Sequence, residues 1–367
     1  MATILHTADV HLDRAYAGAG MASGIASARR QELRDGFRRF IDLALEMRAD
    51  AVTIGGDLYE HERSTLDTGN FLRQQFERLA PMPVLISPGN HDPILPDSLY
   101  RRVNWPGNVT VFTEPKFHQV RLSSDLTIWG AGHNGPDLRQ NLVEGFRVSG
   151  EGRHILLFHG SDLSSVPEGK PVHCGFRPED IARTAADFAL LGHYHGARVS
   201  DHFAYPGSPE ALGFGEAGEH CVIRLDAGSL EVRAHLIPTG RVRYISQRLD
   251  VTEMNSSDDL RSGILAAADT TSVMRIIIEG DLHPEVDLDL PALYNACVEG
   301  FLFLDLVDRT RPAWNLEEIA EESTTKGAFV RLMQTKIAAL RDEDAETAKL
   351  ALALGLQAFD RREVRVP

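Results

Sequence analysis

Five polar clusters stand out in the sequence because each one directly follows a short apolar run. They are Asp9-Val10-His11, Gly56-Asp57, Gly89-Asn90-His91-Asp92, His159 and Gly192-His193-Tyr194-His195. The apolar runs before them, such as Val84-Leu85-Ile86, are typical of buried strands. Carboxylate, amide and imidazole groups can bind a divalent metal ion or transfer protons. The repeated context predicts one metal site that is assembled from distant parts of the chain.

The predicted ligands are oxygen and nitrogen donors without a thiolate. They are Asp9, His11, Asp57, Asn90, His159, His193 and His195. Such a mixture suits hard to borderline ions such as Mn²⁺, Fe²⁺ or Zn²⁺. The set is too large for one tetrahedral zinc ion, whereas two ions that share a bridging carboxylate would each receive enough ligands. Two ions ~3.5–4 Å apart can clamp a phosphoester and activate a water molecule as the nucleophile.

Each cluster alone has a simpler structural explanation. An Asp-x-His or Gly-Asp pair is common in a hydrogen-bonded turn, and Asn and Asp tolerate turn conformations. His159 alone is compatible with a core histidine whose hydrogen bonds are satisfied. The metal site is predicted from the five clusters together, because α/β sheets collect ligands at the carboxyl ends of their strands.

The segments between the clusters alternate short apolar runs with amphipathic stretches over residues 1–237. A Gly/Ala/Ser-rich loop over 15–24 precedes a predicted helix from about Ala26 to Arg48, and a second helix is predicted over 70–79. Near residue 228, Asp226-Ala227-Gly228-Ser229 predicts a hairpin. The pattern predicts an α/β fold in which a sandwich of two mixed β-sheets is flanked by helices.

A boundary is predicted at Pro238-Thr239-Gly240. The metal-binding clusters all precede it, so residues 1–240 are predicted to form the catalytic domain. Beyond it, strands and helices alternate over 241–311, which predicts a small α/β cap domain. Residues 312–367 are predicted to form a helical C-terminal tail.

The bulk composition is that of an ordinary globular protein, with 43% hydrophobic and 25% charged residues. Three cysteines without CxxC spacing argue against a disulfide framework and favour a reducing compartment. The N-terminus has no signal-peptide pattern, and no apolar run approaches the ~20 residues that span a bilayer. We therefore expect a cytoplasmic protein that is not in a membrane. The net charge of −15 weighs against binding nucleic acid by charge alone, although bound cations would offset part of it.

The ordered set of five clusters resembles the calcineurin-like metallophosphoesterases. A narrower resemblance is to the SbcD-type DNA repair exonucleases. The segments that carry it are LHTADVHL at 5–12, GDLY at 56–59, LGHYH at 191–195, YPGSP at 205–209 and FGE at 214–216. This resemblance covers residues 3–240 well and the C-terminal unit only in outline.

The resemblance implies a role for each predicted site residue. The first metal would be bound by Asp9, His11, Asp57 and His195, and the second by Asp57, Asn90, His159 and His193. Asp57 would then bridge the two ions. His91 would be a non-ligand that protonates the leaving oxygen as a general acid, and Asp92 would orient it. Gly89 would let the loop approach the metals closely.

Three residues are candidate substrate contacts: His61, Tyr205 and Ser208. The nuclease family often has a histidine shortly after the bridging aspartate, and His61 lies in that region, with a solvated loop histidine as the alternative. Tyr205 and Ser208 belong to a segment that is interpreted as a loop lining the site, with a structural turn as the alternative. Gly196 departs from relatives that often carry a basic or polar residue there.

As a whole, the resemblance implies a metal-dependent DNA exonuclease that holds two divalent ions, manganese first and iron or zinc as alternatives. It also implies an SbcC-like coiled-coil ATPase that docks on the C-terminal helices, and it is compatible with a homodimer. Two alternatives stay open. A phosphodiesterase or phosphatase for a small nucleotide or other phosphoester is favoured by the acidic net charge. A non-catalytic regulatory subunit of a DNA-processing complex is disfavoured by the complete ligand set.

Overall fold

The computed structural model describes residues 2–16, 23–167, 169–216, 218–228, 231–283, 286 and 288–359. It divides into two compact units, Met1–Tyr244 and Ile245–Pro367. Most of the predicted loop at 15–24 and the end of the predicted hairpin turn at Ser229 lie outside the described residues.

The first unit is built on two six-stranded sheets. Its strands are β1 (Ala2–Thr7), β2 (Ala51–Ile54), β3 (Val84–Ile86), β4 (Val109–Val111), β5 (His118–Ser123), β6 (Leu126–Gly130), β7 (Arg153–His159), β8 (Phe188–Gly192), β9 (Arg198–Val199), β10 (Phe203–Tyr205), β11 (Cys221–Ala227) and β12 (Val232–Pro238). The first sheet has the order β12-β11-β1-β2-β3-β4, and the second has the order β5-β6-β7-β8-β10-β9. Both sheets are mixed, because β1 to β4 and β6 to β8 pair in parallel while outer strands pair antiparallel.

The two sheets pack face to face around one hydrophobic core. Buried side chains from both sheets form it, including Ile4, Leu85, Ile128 and Leu190. A second cluster, which includes Leu156, Phe158 and Leu191, covers the opposite face of the second sheet. Strands that are covered on both faces need continuous apolar sequence rather than alternation, and β2, β3 and β8 have it. The predicted α/β sandwich of two mixed sheets is confirmed.

Helices connect the strands of the first unit: α1 (Ser23–Glu46), α2 (Leu66–Leu79), α3 (Leu99–Arg102) and α4 (Pro178–Arg183). Helix α1 buries Leu33, Phe37, Ile41 and Ala44, which recur at helical spacing. It ends two residues before the predicted Arg48, whose φ of 52° lies in the left-handed region. Helix α2 begins at Leu66, four residues earlier than predicted, after the N-cap residue Thr65.

The second unit contains one three-stranded sheet and a helical region. Its elements are β13 (Arg243–Asp250), α5 (Ser257–Leu265), β14 (Ser272–Leu282), α6 (Leu290–Cys297), β15 (Phe303–Pro312), α7 (Leu316–Glu321), α8 (Thr325–Ala339) and α9 (Asp342–Phe359). The sheet has the order β13-β14-β15, and it packs with α5 and α6 around one core. Helices α7 to α9 share a separate core. The division into a cap domain and a tail stays a prediction, and residues 360–367 of that tail lie outside the described residues.

Candidate metal centre

The predicted ligands lie at the carboxyl ends of five strands. Asp9 and His11 follow β1, Asp57 follows β2, and Asn90 follows β3. In the second sheet His159 is the last residue of β7, and His193 and His195 follow β8. Because β1 to β3 are parallel neighbours, and β7 and β8 are too, their carboxyl ends meet at one edge of each sheet. The sandwich brings these two edges together.

The backbone is bent sharply at this edge. Asp9, His11 and Asp57 have φ angles of 51°, 50° and 51°, and His193 has a φ of 114°. Non-glycine residues rarely adopt positive φ, and such conformations concentrate at functional sites. Backbone hydrogen bonds hold the bends, since the amide of Asp9 donates to Gly56 O and that of His11 donates to Asp57 O. The fold thus fixes the direction of these side chains.

One group of side chains, with Asp57 beside it, has the geometry of a first metal site. The possible ligand atoms of Asp9, His11 and His195 all lie within 4.8 Å of one another. His195 Nε2 is 3.8 Å from Asp9 Oδ1, and His11 Nε2 is 3.7 Å from Asp57 Oδ2. These distances are too long for hydrogen bonds. They are close to the separation of roughly 3–3.5 Å expected for ligand atoms that share an ion with bonds of about 2.1 Å.

A further group of side chains has the geometry of a second site. The possible ligand atoms of Asp9, Asp57 and His159 also lie within 4.8 Å of one another. His159 Nε2 is 3.4 Å from Asp57 Oδ2 and 3.0 Å from the side-chain oxygen of Asn90. The ring of His193 lies 5.1 Å from that of His159, and its Nε2 contacts a backbone carbonyl, so Nδ1 is the nitrogen left for a metal. Asp57 takes part in both sites, which is the position of a bridging ligand.

The chemistry of this donor set fits divalent cations. Asp9, Asp57 and His159 are almost completely buried. His11 Nε2 is buried and has no hydrogen-bond partner among the described residues. Burying two carboxylates beside an unpaired nitrogen is costly unless a cation compensates for the lost hydration. The residues present therefore fit two metal ions.

The pKa values at the site follow from burial and mutual charge. Burial raises the pKa of Asp9. Burial would also raise the pKa of Asp57, but the neighbouring His159, His11 and His91 outweigh it and hold that pKa well below its usual value. Burial lowers the pKa of His159, but the charges of Asp57 and Asp9 outweigh this and raise it to about 9. The buried carboxylates of Asp9 and Asp57 thus depend on the neighbouring histidines for positive charge. A divalent ion would supply that charge instead.

His91 stands beside Asp57, the candidate bridging residue, but is held by a residue that we did not predict. The amide of His91 donates to Asp57 Oδ1, and its ring Nδ1 lies 2.9 Å from Glu60 Oε2. Its side chain is 43% exposed, so a substrate can reach it. Burial lowers the pKa of His91, but the hydrogen bond to Glu60 and the charge of Asp57 raise it to about 9. His91 therefore fits a proton donor.

The prediction that Asp92 orients His91 is wrong. The Asp92 carboxylate is buried and accepts hydrogen bonds from the backbone amides of Asp57, Leu58 and Gly89 and from the Tyr100 hydroxyl. Each of the two carboxylate oxygens already accepts two hydrogen bonds, so neither is free for the ring of His91. Burial and the charge of Asp57 raise the pKa of Asp92 to about 6. Asp92 thus fixes the loop that carries Asp57 rather than the ring of His91.

Two glutamates that we did not predict support the candidate imidazole ligands. Glu60 Oε1 lies 2.8 Å from His11 Nδ1, and Glu216 Oε1 lies 2.6 Å from His195 Nδ1. Carboxylates that accept from one ring nitrogen commonly orient the other nitrogen toward a metal. The sequence carried a signal for each, because Glu60 lies three positions after Asp57 and Glu216 lies in the FGE segment.

A family model described as calcineurin-like phosphoesterase matches residues 2–197, more than half of the chain. The chain belongs to the calcineurin-like phosphoesterase family. Members of this family are metal-dependent phosphoester hydrolases that use a dinuclear divalent metal site, and the paired groups around Asp57 agree with that chemistry.

Individual relatives are more distant. The uncharacterized metallophosphoesterase YhaO of Bacillus subtilis (strain 168) is 28% identical over 68% of this chain and 64% of its own length. The DNA double-strand break repair protein Mre11 of Methanosarcina mazei is 26% identical over 68% of this chain and 40% of its own length. Mre11 of Methanosarcina acetivorans is 24% identical over 95% of this chain and 53% of its own length. The chain thus spans less than two thirds of the length of these relatives.

The chain also aligns with a solved structure. TT1561 of Thermus thermophilus aligns with 64% of this calcineurin-like phosphoesterase and with 98% of its own chain, at a TM-score of 0.39 and 16% identity. Among the described residues, no helix has the length and apolar character that crossing a bilayer requires.

The three predicted substrate contacts differ in burial and in hydrogen-bond partners. Tyr205 is fully buried, and its hydroxyl donates to Gly160 O and accepts from the amide of Asp162. Ser208 is also buried, and its hydroxyl donates to Glu216 Oε2. Direct substrate contact is therefore wrong for both, since their polar atoms face the protein. His61 is partly buried, with its side chain 16% exposed: its Nε2 is 3.4 Å from the exposed Asp97, and its buried Nδ1 has no hydrogen-bond partner among the described residues.

Proposed function

We propose that this protein is a metal-dependent phosphodiesterase that hydrolyses DNA phosphodiester bonds, as a DNA repair nuclease of the SbcD type. The observation that carries the proposal is the placement of Asp57 between two groups of candidate ligands, with His91 beside it. The DNA substrate is supported by the relatives named as double-strand break repair proteins. The sequence motifs at the strand ends, such as GDLY at 56–59 and LGHYH at 191–195, support the same SbcD-type group of the family.

The two metal ions would share Asp57. The first ion would be held by Asp9, His11, Asp57 and His195, and the second by Asp57, Asn90, His159 and His193. Manganese is the first choice for this oxygen and nitrogen donor set, with iron or zinc as alternatives. When bound, such ions polarise phosphoryl oxygens and lower the pKa of water.

The residues of the chain itself supply the proton chemistry. His91 would donate the proton of Nε2 to the oxygen that leaves phosphorus, because Glu60 occupies its Nδ1. Glu60 keeps the ring in place and stabilises its charged form. Asp92 holds the amides of Asp57 and Leu58, which keeps the bridging carboxylate aimed at both sites.

A small-molecule phosphodiesterase or phosphatase is the second candidate. The net charge of −15 favours it, because DNA-binding surfaces are usually basic. YhaO, the relative with 28% identity, is itself an uncharacterized metallophosphoesterase. A non-catalytic regulatory subunit is disfavoured, since no member of the predicted ligand set is missing.

The deciding experiment compares substrates with purified protein in Mn²⁺. Linear DNA and bis(p-nitrophenyl) phosphate are each tested on the wild type, on His91→Ala and on the control His118→Ala. His118 is 47% exposed on β5, so it matches His91 in type and exposure but lies outside the site. We expect the wild type and His118→Ala to degrade DNA, and His91→Ala to lose most of this activity. Cleavage of the small diester without any cleavage of DNA would show that the nuclease proposal is wrong.

A partner is part of the same proposal. A coiled-coil ATPase of the SbcC type would dock on α8, where Leu332 is 67% exposed while Val330 and Met333 are buried in the helical core. Leu332→Glu should abolish co-purification with such an ATPase, whereas Lys336→Glu on the same helix controls for charge alone. A homodimer is proposed on resemblance only, and light scattering tests it.

A further inference from the structure

A cavity lies outside the metal centre, between loops that cover the outer face of the second sheet. Its volume is about 530 Å³. Three arginines line it, Arg147, Arg177 and Arg183, together with Phe146 and two acidic residues, Glu144 and Asp180. We call it the arginine cavity. A concave site that combines guanidinium groups with an aromatic ring suits an anionic ligand that also has an apolar part.

Not every guanidinium group in the arginine cavity is paired with a carboxylate. Arg183 pairs with Asp180 at 2.8 Å, and the same carboxylate accepts from the amide of Arg177 and the side chain of Asn141. The guanidinium groups of Arg147 and Arg177 have no carboxylate within ion-pair distance in the part of the chain that the structure describes. Both residues are exposed. Free guanidinium groups in a chain with a net charge of −15 form a local site for an anion.

A short segment links the cavity to the metal centre. His173 packs its ring against the ring of the candidate ligand His193, at 5.4 Å and nearly perpendicular. Arg177 follows His173 by four residues, so their Cα atoms lie at most about 14 Å apart. Successive phosphates of one B-DNA strand advance about 3.4 Å along the axis. Arg177 therefore lies within a few nucleotides of a scissile phosphate at the metals. Arg147 lies farther along the cavity, where the amide of the next residue, Val148, donates to Thr184 O after α4.

His173 itself is rigidly held on this segment. Its amide donates to Ser161 Oγ, and its carbonyl accepts from the amide of Ser161. The side chain is 8% exposed, and Nδ1 has no hydrogen-bond partner among the described residues, with the Asp137 carboxylate 3.9 Å away. The segment thus buries an imidazole nitrogen without a hydrogen-bond partner beside the metal centre and exposes a guanidinium group four residues later.

We propose that the arginine cavity binds the phosphate backbone of the DNA strand that is cleaved at the metal centre. This proposal rests on the proposed nuclease function and extends it to a second point of contact. Arg147 and Arg177 would donate hydrogen bonds to non-bridging phosphate oxygens, and Phe146 would pack against the sugar or base. These contacts give affinity and register without reading the sequence, so the effect should be the same for every DNA sequence.

The test measures binding and cleavage separately. Arg147→Gln, Arg177→Gln and the double variant are compared with Arg48→Gln, an exposed arginine before the amino end of β2 and thus at the opposite end from the metal centre. Binding is measured by fluorescence anisotropy with a single-stranded phosphorothioate oligonucleotide over a series of salt concentrations. Cleavage is measured with DNA and with bis(p-nitrophenyl) phosphate, which is too small to reach the cavity.

We expect the double variant to bind the oligonucleotide roughly tenfold more weakly. The slope of log K against log salt should become less steep by about 0.7 for each arginine removed. Hydrolysis of bis(p-nitrophenyl) phosphate should equal that of the wild type, and Arg48→Gln should change nothing. Because both arginines are exposed, these variants should fold normally.

Three results would overturn the proposal. The double variant could match Arg48→Gln in affinity and salt slope. It could lose hydrolysis of the small diester in the same proportion, which would place the defect at the metals. Its affinity for a mononucleotide could also fall by the same factor as its affinity for the oligonucleotide, which would make the cavity a site for small anions. Wild-type protein that neither binds nor cleaves DNA would refute the nuclease function itself, whereas DNA cleavage that is indifferent to both arginines refutes the cavity alone.

Discussion

His91 and His11 are held by the two oxygens of one carboxylate, that of Glu60. Glu60 Oε2 lies 2.9 Å from Nδ1 of His91, and Oε1 lies 2.8 Å from Nδ1 of His11. A carboxylate accepts but cannot donate when it is ionised, so both Nδ1 atoms must carry hydrogen. Nε2 of each ring then stays available, for a metal at His11 and for the substrate at His91. Glu60 therefore links the proposed acid to a proposed ligand.

Replacing Glu60 by glutamine should damage proton donation more than metal binding. Glu60→Gln replaces one of the two carboxylate oxygens by an NH2 group, which donates rather than accepts, so one of the two rings must turn or change its tautomer. We expect kcat for DNA to fall roughly 10–100-fold. The loss should be much smaller for bis(p-nitrophenyl) phosphate, whose leaving group departs without a proton. Steady-state kinetics on both substrates measure the difference.

The matched control is Glu216→Gln, because Glu216 pairs with His195 but not with His91. This variant should lose activity equally on both substrates and regain it at higher Mn²⁺ concentration. Equal losses on both substrates for Glu60→Gln as well would mean that Glu60 serves the metal alone. Nitrogen NMR of the two rings in metal-free protein provides a readout independent of turnover.

The protonation of His91 should depend on Glu60. In the metal-free protein the pKa of His91 is raised to about 9, above the ordinary 6.5, because Glu60 and Asp57 outweigh burial. Its contribution to stability is therefore fully present below pH 6.5 and is lost as the pH rises through about 9. An NMR titration of metal-free protein should give a midpoint near 9, and Glu60→Gln should lower it. A midpoint near 6.5 in both proteins would contradict the pairing.

The same pair predicts the shape of the pH–rate profile. A general acid must carry its proton, so kcat should fall at high pH as His91 loses its proton. Divalent ions at Asp57 cancel part of the negative charge that raises this pKa. The descending limb in Mn²⁺ should therefore lie below the midpoint of the metal-free NMR titration, and a limb above that midpoint would assign the proton to another group.

The sequence points to the candidate metal ligands that the structure brings together, but it does not show which side chain each supporting residue contacts. Asp57 and His159 each follow an apolar run, and a polar side chain at a strand end is visible in a linear sequence. Glu216 is 21 residues from His195, and only the folded loops bring the two together. The interpretation of Asp92 followed its position beside His91, although neighbours in a tight loop point in different directions.

The positions of the buried strands could be predicted from the sequence for a similar reason, whereas the burial of residues in loop-like segments could not. Apolar runs such as Val52–Ile54 predict buried strands because both faces of such a sheet are covered. The Tyr205–Pro209 segment carries turn residues that are typical of an exposed loop. Tyr205 is buried because it ends β10 and packs against Tyr194 and Phe203, which depends on the tertiary structure.

Metal binding should stabilise the protein, and Asp57 should be required for the effect. A ligand at a hundred times its Kd adds about 2.7 kcal/mol, which for a unit of this size is a rise in Tm of roughly 5–10 °C. We expect this rise for the wild type when Mn²⁺ is added to chelator-treated protein, and its loss in Asp57→Asn. Asp97→Asn is the control, because Asp97 lies in a neighbouring loop and is 73% exposed. An equal rise in Asp57→Asn would exclude the bridge.

A methyl group at Gly89 should displace the carboxylate of Asp57, the proposed bridging ligand. A Cβ atom there would collide with Asp57 Oδ1 and would lie 2.8 Å from the Asp57 amide and 2.9 Å from the His159 ring. Because such contacts are not tolerated, the loop or Asp57 must move. We expect Gly89→Ala to lose bound metal, measured by plasma emission after dialysis, and nearly all hydrolysis. Gly196→Ala is the matched control, since a Cβ there meets nothing within 4 Å and Gly196 directly follows His195. Normal metal content in Gly89→Ala would show that the close approach of this loop is not needed to hold the ions.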